Sequence, residues 1–557
     1  MRPLLSLRYD DSLLSIVRRL GLFPIRRMAG DHPREGALKI YLIAPRNPES
    51  FWTFDRILPS LGKRCLFPNL SLPTVAALAP REHEIVLCDE NVEEIDFATD
   101  ADIVGITGYV IHKNRIFEIA SEFRRRGKFV VAGGPFASLC PEELRGRVDV
   151  LFVDEAEYTW PQFLREYAAG HWQPEYRQDE KPSMLDSPLP RFDLLKTDRY
   201  RTMTIQFARG CPFSCEFCDI IVMYGRRPRT KSVDQVMAEV KEIHRLGITN
   251  IFVVDDNFIG NKKEAKKLLG AIADWQRENG YPIEFMTEVS LNVAQDDELL
   301  RLMKKAHFET IFVGIESPRA ASLAEAKKTQ NMRENILDSV HRIQAAGIEV
   351  MAGMIVGFDG DDPAIFEEQF RFIQDARIPV SMTGMLNAIP KTPLYARLKE
   401  AGRLLAESVG DQFVFTNIIP GGMTRLQLYE GYRHLLHRLY DYRNYRERAM
   451  SFIMNRGAVS STRLVAGPDD LKVVARIAWN CVVRTSPKRA WFTLSMVLET
   501  ALRRPGAMRE ALTLALQHKH LYEYVRDTSK QLDELIREIR AGGGGLLPAG
   551  QGGVGVS

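Results

Sequence analysis

The segment "ARGCPFSCEFCDI", residues 208–220, contains three of the seven cysteines of the chain. Cys211, Cys215 and Cys218 follow the spacing C-x3-C-x2-C, and Pro212 and Ser214 indicate a loop. A structural zinc site normally needs four ligands in paired knuckles, and the chain has no second C-x2-C pair. An iron–sulfur cluster held by three cysteines keeps one iron without a protein ligand. The motif therefore favours a cluster over zinc or a chance group of structural thiols.

The bulk composition is that of a globular protein with more than one domain. The chain has 557 residues, of which 45% are hydrophobic and 26% charged, and its net charge is +3. Such a small charge gives no indication of a nucleic-acid partner. The odd number of cysteines argues against a secreted disulfide framework. Because no apolar run reaches about 18 residues, we expect a cytoplasmic protein without a membrane span.

Residues 1–37 are predicted to form an amphipathic N-terminal extension. Leu13, Leu14, Val17 and Leu20 have helical spacing, and Arg18 interrupts any signal-peptide core. Such a helix can pack on its own protein, or its basic face can contact an anionic membrane at the periphery. Both alternatives remain open from the sequence.

Residues 38–169 alternate short apolar runs with helical patterns. The runs "KIYLIAP", "HEIVLCD", "ADIVGITG", "KFVVAGGP" and "VDVLFVDE" predict five buried strands. Continuous apolar strands separated by helices are typical of a parallel, doubly wound α/β sheet, which binds ligands beyond the carboxyl ends of its strands. Residues 170–200 contain four prolines without periodicity and are predicted to be a linker.

A second α/β series occupies residues 201–420. Its six strands are predicted in "TMTIQFA", "NIFVVDDN", "IEFMTEVS", "TIFVGIES", "EVMAGMIVGF" and "SMTGMLNA". Six βα units are too few for an eight-stranded barrel and predict a partial (β/α)6 barrel. Residues 421–540 predict an α-helical region, and the glycine-rich residues 541–557 predict a disordered tail.

The cysteine loop directly follows the first strand of this second series, on the face where barrel enzymes keep their active sites. This combination resembles the radical S-adenosylmethionine superfamily. The resemblance implies that Cys211, Cys215 and Cys218 hold a catalytic [4Fe-4S] cluster. It also implies that S-adenosylmethionine completes the shell of the remaining iron and is split to a 5′-deoxyadenosyl radical.

The same resemblance assigns further residues to S-adenosylmethionine at successive strand ends. An aromatic side chain is expected against the adenine, an acidic one at the methionine amino group, a polar pair at the ribose, and close backbone approach at the adenine. Acidic residues at strand ends also cap helices, which is the structural alternative. The aromatic residue is Phe217, and the acidic ones are Asp255 and Asp256. The polar pair is Glu316 and Ser317, and the close backbone approach is expected at Gly353, Ile355 and Gly357.

A flavodoxin-like (Rossmann-type) domain before such a barrel resembles the cobalamin-binding subclass of the superfamily. The resemblance implies that the corrin lies at the strand ends "VGITG" and "VVAGGP", on Gly105, Thr107, Gly133, Gly134 and Pro135. The loop after the first strand, "APRNPESFWTFDRI", lacks the histidine of the D-x-H-x2-G motif that ligates cobalt in other cobalamin domains. His112 follows a different strand and is predicted to be a surface or core histidine. We therefore expect base-off cobalamin without a protein histidine ligand.

The subclass implies a methyltransferase that uses a radical and methylcobalamin to methylate an unactivated carbon. The layout is similar to hopanoid C-2 methylases, which suggests a small-molecule or lipid substrate. An external electron donor of the flavodoxin or ferredoxin type is also implied, and no nucleic acid. Two alternatives stay open: a cyclase or oxidative enzyme with the same cofactors but without methyl transfer, and an iron–sulfur electron-transfer or sensor protein.

Overall fold

The computed structural model describes residues 36–178, 180–457, 472 and 475–542. The amphipathic extension predicted for residues 1–37 lies outside the described residues except for its last two positions. The tail predicted for residues 541–557 likewise lies outside them from residue 543 onward. No helix in the described ranges is long and apolar enough to cross a membrane.

The first sheet contains the five strands expected from the sequence and one more. All neighbours are parallel, and the order is β2-β1-β3-β4-β5-β6. Because the order reverses between β1 and β3, the carboxyl ends at this point flank an open crevice. The strands are β1 (Lys39–Ala44), β2 (Glu84–Asp89), β3 (Ile103–Thr107), β4 (Phe129–Gly133), β5 (Val150–Val153) and β6 (Glu175–Arg177).

Helices cover both faces of the first sheet. In β1, Ile40 and Leu42 belong to one apolar cluster, whereas Tyr41 and Ile43 belong to the cluster on the other face. Burial on both faces explains why these strands are continuously apolar. The helices around this sheet are α1 (Ser71–Leu78), α2 (Lys113–Arg125), α3 (Pro135–Leu139), α4 (Pro141–Leu144) and α5 (Thr159–Ala168).

The segment predicted as a linker, residues 170–200, contributes the edge strand β6 to the first sheet. This strand has only three residues and lies between prolines, so it has no periodicity that a sequence pattern could reveal. Three short 3-10 helices, Met184–Asp186, Phe192–Leu194 and Thr197–Arg199, then lead into the second sheet.

The second sheet contains all six strands expected between residues 202 and 402. They are parallel and lie in the order β14-β13-β12-β11-β10-β7, so each strand neighbours the next one along the chain. A separate antiparallel pair, β8 and β9, carries the cysteine loop. The strands are β7 (Met203–Ile205), β8 (Ala208–Arg209), β9 (Arg229–Thr230), β10 (Asn250–Val253), β11 (Glu284–Val289), β12 (Phe308–Glu316), β13 (Glu349–Val356) and β14 (Ser381–Met385).

Helices follow the strands of the second sheet, and five of the eight start at side-chain caps. The hydroxyl of Ser232, for example, accepts from the backbone N–H of Gln235, whose side chain accepts from the backbone of Ser232. The helices of this series are α6 (Ile220–Met223), α7 (Val233–Arg245), α8 (Lys262–Asn279), α9 (Asp297–Lys305), α10 (Ala320–Glu325), α11 (Ile336–Ala345), α12 (Ile365–Asp375) and α13 (Pro393–Glu400).

The C-terminal helices cover the β14 edge of the second sheet. Tyr432 donates a hydrogen bond to the carbonyl of Thr383 at 3.0 Å, and the Tyr440 hydroxyl accepts from the N–H of Ser381 at 3.2 Å. Pairing or covering an edge strand satisfies backbone groups that would otherwise be open to another chain. These helices are α14 (Arg425–Tyr440), α15 (Tyr442–Asn455), α16 (Pro487–Arg503) and α17 (Met508–Arg540).

The loop after β1 joins the two sheets. The fully buried Phe51 packs against Phe413, Tyr440 and Tyr524, with ring centroids 4.8 to 5.7 Å apart. Its neighbour Trp52 stacks on Phe252 of β10 at 6.5 Å. Aromatic residues of this loop therefore belong to the core of the second sheet and the C-terminal helices.

Candidate active site

The cysteine loop is fixed by a glycine turn at its start. Gly210 has a φ of +93°, and a Cβ atom there would lie 2.9 Å from the carbonyl oxygen of Gly225. The N–H of Cys211 donates to the same carbonyl at 3.3 Å. Only glycine tolerates both the left-handed backbone and this close approach. The turn sends the three cysteines away from the β8–β9 pair.

The environment of the three thiols fits an iron–sulfur cluster. All three are free, and amide side chains donate to two of the sulfurs: Asn257 to Cys211 at 3.8 Å and Gln330 to Cys215 at 3.6 Å. Burial raises the pKa of Cys211 and raises that of Cys218 well above its usual value, and the neighbouring thiols add to both shifts. Bound cationic iron would offset this repulsion between thiolates.

The two consecutive aspartates after β10 have different roles. The carboxylate of Asp255 accepts hydrogen bonds from the N–H groups of Phe207 and Ala208 at 2.7 and 2.9 Å, so it fixes the chain just before the cysteine loop. The Oδ2 atom of Asp256 is buried and has no hydrogen-bond partner. Burial raises the pKa of Asp255 to about 8 and that of Asp256 to about 7. Asp256 therefore keeps a wholly unpaired oxygen for a ligand, whereas both oxygens of Asp255 are engaged by the backbone.

Glu288, at the end of β11, joins this acidic group and was not predicted from the sequence. Burial raises its pKa to about 8, and the charges of Asp256 and Asp255 contribute to the shift. Its signal in the sequence is a charge near the carboxyl end of the strand "EFMTEV", whose other glutamate, Glu284, stands at the first position. Two neighbouring buried carboxyls of this kind could accept from a cationic group.

Glu316 and Ser317, predicted to contact a ribose, have partners inside the protein. Glu316 is buried with a φ of +68° and forms an ion pair with Lys328 at 2.5 Å. The Ser317 hydroxyl accepts from the N–H of Arg319 at 3.2 Å. Lys328 was not predicted; its ammonium lies 5.9 Å from the Phe217 ring and interacts with the charges of Cys215 and Cys218. The buried ammonium of Lys328 therefore interacts both with Glu316 and with the thiols of the cysteine loop.

The residues predicted to surround an adenine share an apolar wall. Phe217 and Ile355 both pack against the cluster that contains Phe358 and Leu386, and the rings of Phe217 and Phe358 lie 6.2 Å apart. Two glycines keep the backbone close to its neighbours. At Gly353 a Cβ atom would lie 2.8 Å from Phe312, and Gly357 has a φ of +104° and donates to Asp361 at 2.9 Å.

One cavity of about 360 Å³ lies between the carboxyl ends of the two sheets. The first sheet lines it with all five residues predicted for cobalamin, and the second sheet adds polar side chains next to the cysteine loop. Tyr109 and Tyr224 also border it. The predicted residues are Gly105, Thr107, Gly133, Gly134 and Pro135, and the polar ones include Thr204, Gln206, Arg209 and Asp256.

The glycines of the cavity wall leave no room for a side chain. At Gly134, which has a φ of +88°, a Cβ atom would lie 2.3 Å from the Thr107 hydroxyl. At Gly105 it would lie 2.7 Å from Leu42. A flat group can thus approach the strand ends closely. The wall fits a corrin in this respect, as the resemblance implies.

His112 is a buried histidine whose ring nitrogens are both engaged. Its Nδ1 accepts from the N–H of Tyr109 at 3.0 Å, which leaves Nε2–H to donate to Asn47 at 2.9 Å. Burial lowers its pKa to about 4. The ring lines the cavity, and His112 is thus a core histidine, one of the two alternatives predicted from the sequence, with both ring nitrogens engaged by the protein.

Buried ion pairs fasten the cysteine loop to the first sheet. Arg209 donates to Glu155 and Glu157, each at 2.6 Å, and Arg229 donates to Glu155 at 2.7 Å. Both glutamates follow β5, in the acidic sequence "VDEAEYTW". These contacts were not predicted from the sequence, because they depend on how the two sheets meet.

Comparisons with known proteins agree with this geometry. The family described as "Radical SAM superfamily" matches residues 205–373, and "Domain of unknown function (DUF4070)" matches residues 392–534. An uncharacterized methyltransferase of Synechocystis sp. is 38% identical over 510 residues, which cover 90% of this chain and 94% of that protein. Hopanoid C-2 methylase of Rhodopseudomonas palustris is 36% identical over 376 residues, which cover 66% of this chain and 71% of that protein.

Solved structures share the α/β fold with parallel sheets. The cobalamin-dependent S-adenosylmethionine radical enzyme OxsB, with aqua-cobalamin and S-adenosylmethionine bound, has a TM-score of 0.56 at 15% identity and covers 91% of this chain and 81% of its own. The radical S-adenosylmethionine methyltransferase TsrM from Kitasatospora setae has a TM-score of 0.51 at 15% identity, covering 68% and 80%. At this identity the likeness concerns the fold alone.

Proposed function

Since the chain belongs to the radical S-adenosylmethionine superfamily, we propose that it is a cobalamin-dependent methyltransferase that acts on an unactivated carbon. The observation that carries the proposal is the cavity between the two sheets. It brings the five predicted cobalamin residues to the same space as Asp256, next to the cysteine loop. A radical centre and a methyl carrier must share a substrate, and this cavity offers that position.

The proposed domain layout places this cavity between two α/β domains. Residues 38–169 would be a flavodoxin-like cobalamin domain, residues 201–420 a partial (β/α)6 barrel, and residues 421–540 a helical domain. The strand orders support this layout, and the short segment between the two sheets would connect the domains.

Within the barrel, we assign roles from the contacts of each side chain. Cys211, Cys215 and Cys218 would hold the cluster. Asp256 and Glu288 would accept from the methionine amino group, because Asp256 keeps an unpaired buried oxygen. Phe217 and Ile355, with Gly353 and Gly357, would enclose the adenine. Asp255 would position the loop, and Glu316 with Lys328 would provide polar contacts beside the cluster. When bound, the cofactors would supply the radical and the methyl group, and the protein would orient them and exclude water.

The substrate is proposed to be a small molecule or lipid, since one of the relatives is named for a hopanoid. A lipid substrate would involve peripheral contact with a membrane. An external electron donor of the flavodoxin or ferredoxin type would reduce the cluster. The exposed Arg226 and Arg227, which follow the cysteine loop, offer a basic surface for an acidic donor.

The test is transfer of a labelled methyl group. The anaerobically reconstituted enzyme, with cobalamin, is incubated with hydrophobic extracts and S-adenosylmethionine deuterated at its methyl carbon. A product that gains the labelled methyl supports the methyltransferase. A product whose mass changes without the label would favour the cyclase or oxidative alternative instead.

A further inference from the structure

Helix α16 presents an apolar face to the outside of the protein. Trp491, Leu494, Leu498 and Leu502 recur at spacings of three and four residues and are 71%, 41%, 57% and 83% exposed. The opposite face of the same helix, with Phe492, Met496 and Thr500, is buried against the other C-terminal helices. A helix with one buried face normally places polar residues on the other. The exposed apolar stripe is therefore not required for folding.

The stripe continues into the π-helical turn Trp479–Val483, which precedes α16. Trp479 and Val483 are 56% and 61% exposed. Six of the fifteen large exposed hydrophobic residues in the described chain thus lie within 24 positions. The other nine are scattered over both sheets and their loops. Exposed apolar residues that cluster in this way mark an interaction surface, whereas single ones need no explanation.

Exposed basic residues are interspersed with the apolar ones along this segment. Arg476, Arg484, Lys488 and Arg503 are exposed in the same segment. Residues 475–506 contain six lysines and arginines and one acidic residue, Glu499. Glu499 is already paired with Arg446 and Arg503. The surface therefore combines apolar side chains with positive charge.

We propose that this surface, from Trp479 to Leu502, docks the protein on an anionic membrane. Tryptophan and leucine at the headgroup boundary, with arginine and lysine beside them, are the chemistry of helices that lie in a membrane interface. A symmetric contact with a second copy would bring two positively charged surfaces together, so charge complementarity favours the lipid surface. The inference does not depend on the methyltransferase reaction, because membrane binding can be measured without turnover.

The experiment is flotation of the full-length chain with vesicles of phosphatidylcholine alone or mixed with phosphatidylglycerol. We expect binding to the mixed vesicles, and a loss of about tenfold or more in Trp491→Ser/Leu498→Ser. The matched control is Leu185→Ser/Leu189→Ser, which removes two leucines of 63% and 48% exposure on another surface and should bind as the wild type. Arg484→Glu/Lys488→Glu should weaken binding to the mixed vesicles most strongly at low salt.

A second readout uses brominated lipids, which quench tryptophan fluorescence on contact. Quenching in the wild type should fall in Trp491→Phe, a variant that keeps an apolar side chain. The proposal is overturned if the wild type does not float with mixed vesicles, or if Trp491→Ser/Leu498→Ser floats as well as the control. It is also overturned if light scattering shows a wild-type dimer that this double variant dissociates, because a second copy would then cover the face.

Discussion

At the scale of single residues, the neighbouring Asp255 and Asp256 have different proposed roles. Asp255 positions the cysteine loop, and Asp256 binds S-adenosylmethionine. We predict that Asp255→Asn lowers the free energy of unfolding by about 1–3 kcal/mol, because an amide cannot accept from both Phe207 and Ala208. Asp256→Asn should leave stability within about 1 kcal/mol and weaken binding of S-adenosylmethionine. Urea unfolding and calorimetric titration measure the two effects. Equal binding losses in both variants, with equal stability, would contradict this division.

The buried carboxyls also predict how stability depends on pH. Asp255, Asp256 and Glu288 have pKa values raised to about 8, 7 and 8, chiefly by burial. Since these lie above the ordinary values near 4, the folded state binds more protons than the unfolded state across this window. The stability of the cofactor-free chain should therefore fall as pH rises from about 4 to about 8. Urea unfolding across the window tests this.

Glu288→Gln is the informative variant for that pH dependence. An amide cannot ionise, so the decline in stability should become shallower in the variant. Stability that rises across the window, or an identical slope in the variant and the wild type, would contradict the prediction.

Candidate site residues could be predicted from the sequence where the pattern is local. The cysteine spacing is visible within eight positions, and all five predicted cobalamin residues line one cavity. Glu288 and Lys328 were missed because their roles depend on strand register and on a loop that folds back toward the cysteines. Asp255 and Asp256 differ in their contacts because only the Asp255 carboxyl accepts from the backbone of β8. The dipeptide Asp-Asp in the sequence does not reveal this difference.

At the scale of elements, the turn after β4 decides whether the cavity wall forms. Gly134→Ala should lower cobalamin retention, because its Cβ atom would lie 2.3 Å from Thr107. Gly127→Ala is the matched control, with a φ of +74° and no atom within 4 Å of its added Cβ. Gly127→Ala should cost about 1 kcal/mol for its positive φ. Gly134→Ala should cost more, because a φ of +88° with a ψ of −168° is a region that essentially only glycine occupies. Absorbance of retained cobalamin measures the effect; equal retention in both variants would contradict it.

Elements were predictable where burial produces a pattern. The five apolar runs of the first series and the six of the second each became a strand, because their side chains face a core. Strand β6 was not predicted, because its three residues are a strand only through their pairing with β5. The same holds for β8 and β9, each two residues long.

At the scale of the whole molecule, the loop after β1 couples the two sheets. Phe51→Ala should lower the free energy of unfolding by about 3–5 kcal/mol and separate one unfolding transition into two, because Phe51 bridges to Phe413 and Tyr440. The matched control is Phe123→Ala, which removes an equally buried ring that packs against Tyr41 and Phe97 of the first α/β series. Phe123→Ala should destabilise the first sheet but keep a single unfolding transition, because the loop after β1 is unchanged. Coincident transitions in Phe51→Ala, followed by tryptophan fluorescence and circular dichroism, would contradict the coupling.

The central claim is that one cavity serves both a radical and a methyl carrier. The most direct measurement quantifies 5′-deoxyadenosine and S-adenosylhomocysteine in the same anaerobic sample, after reconstitution with iron, sulfide and cobalamin and reduction by dithionite. Both compounds should form with the wild type, and Cys215→Ala should lose 5′-deoxyadenosine because a cluster ligand is missing. If neither compound formed while the cluster and cobalamin were both bound, the claim would be contradicted.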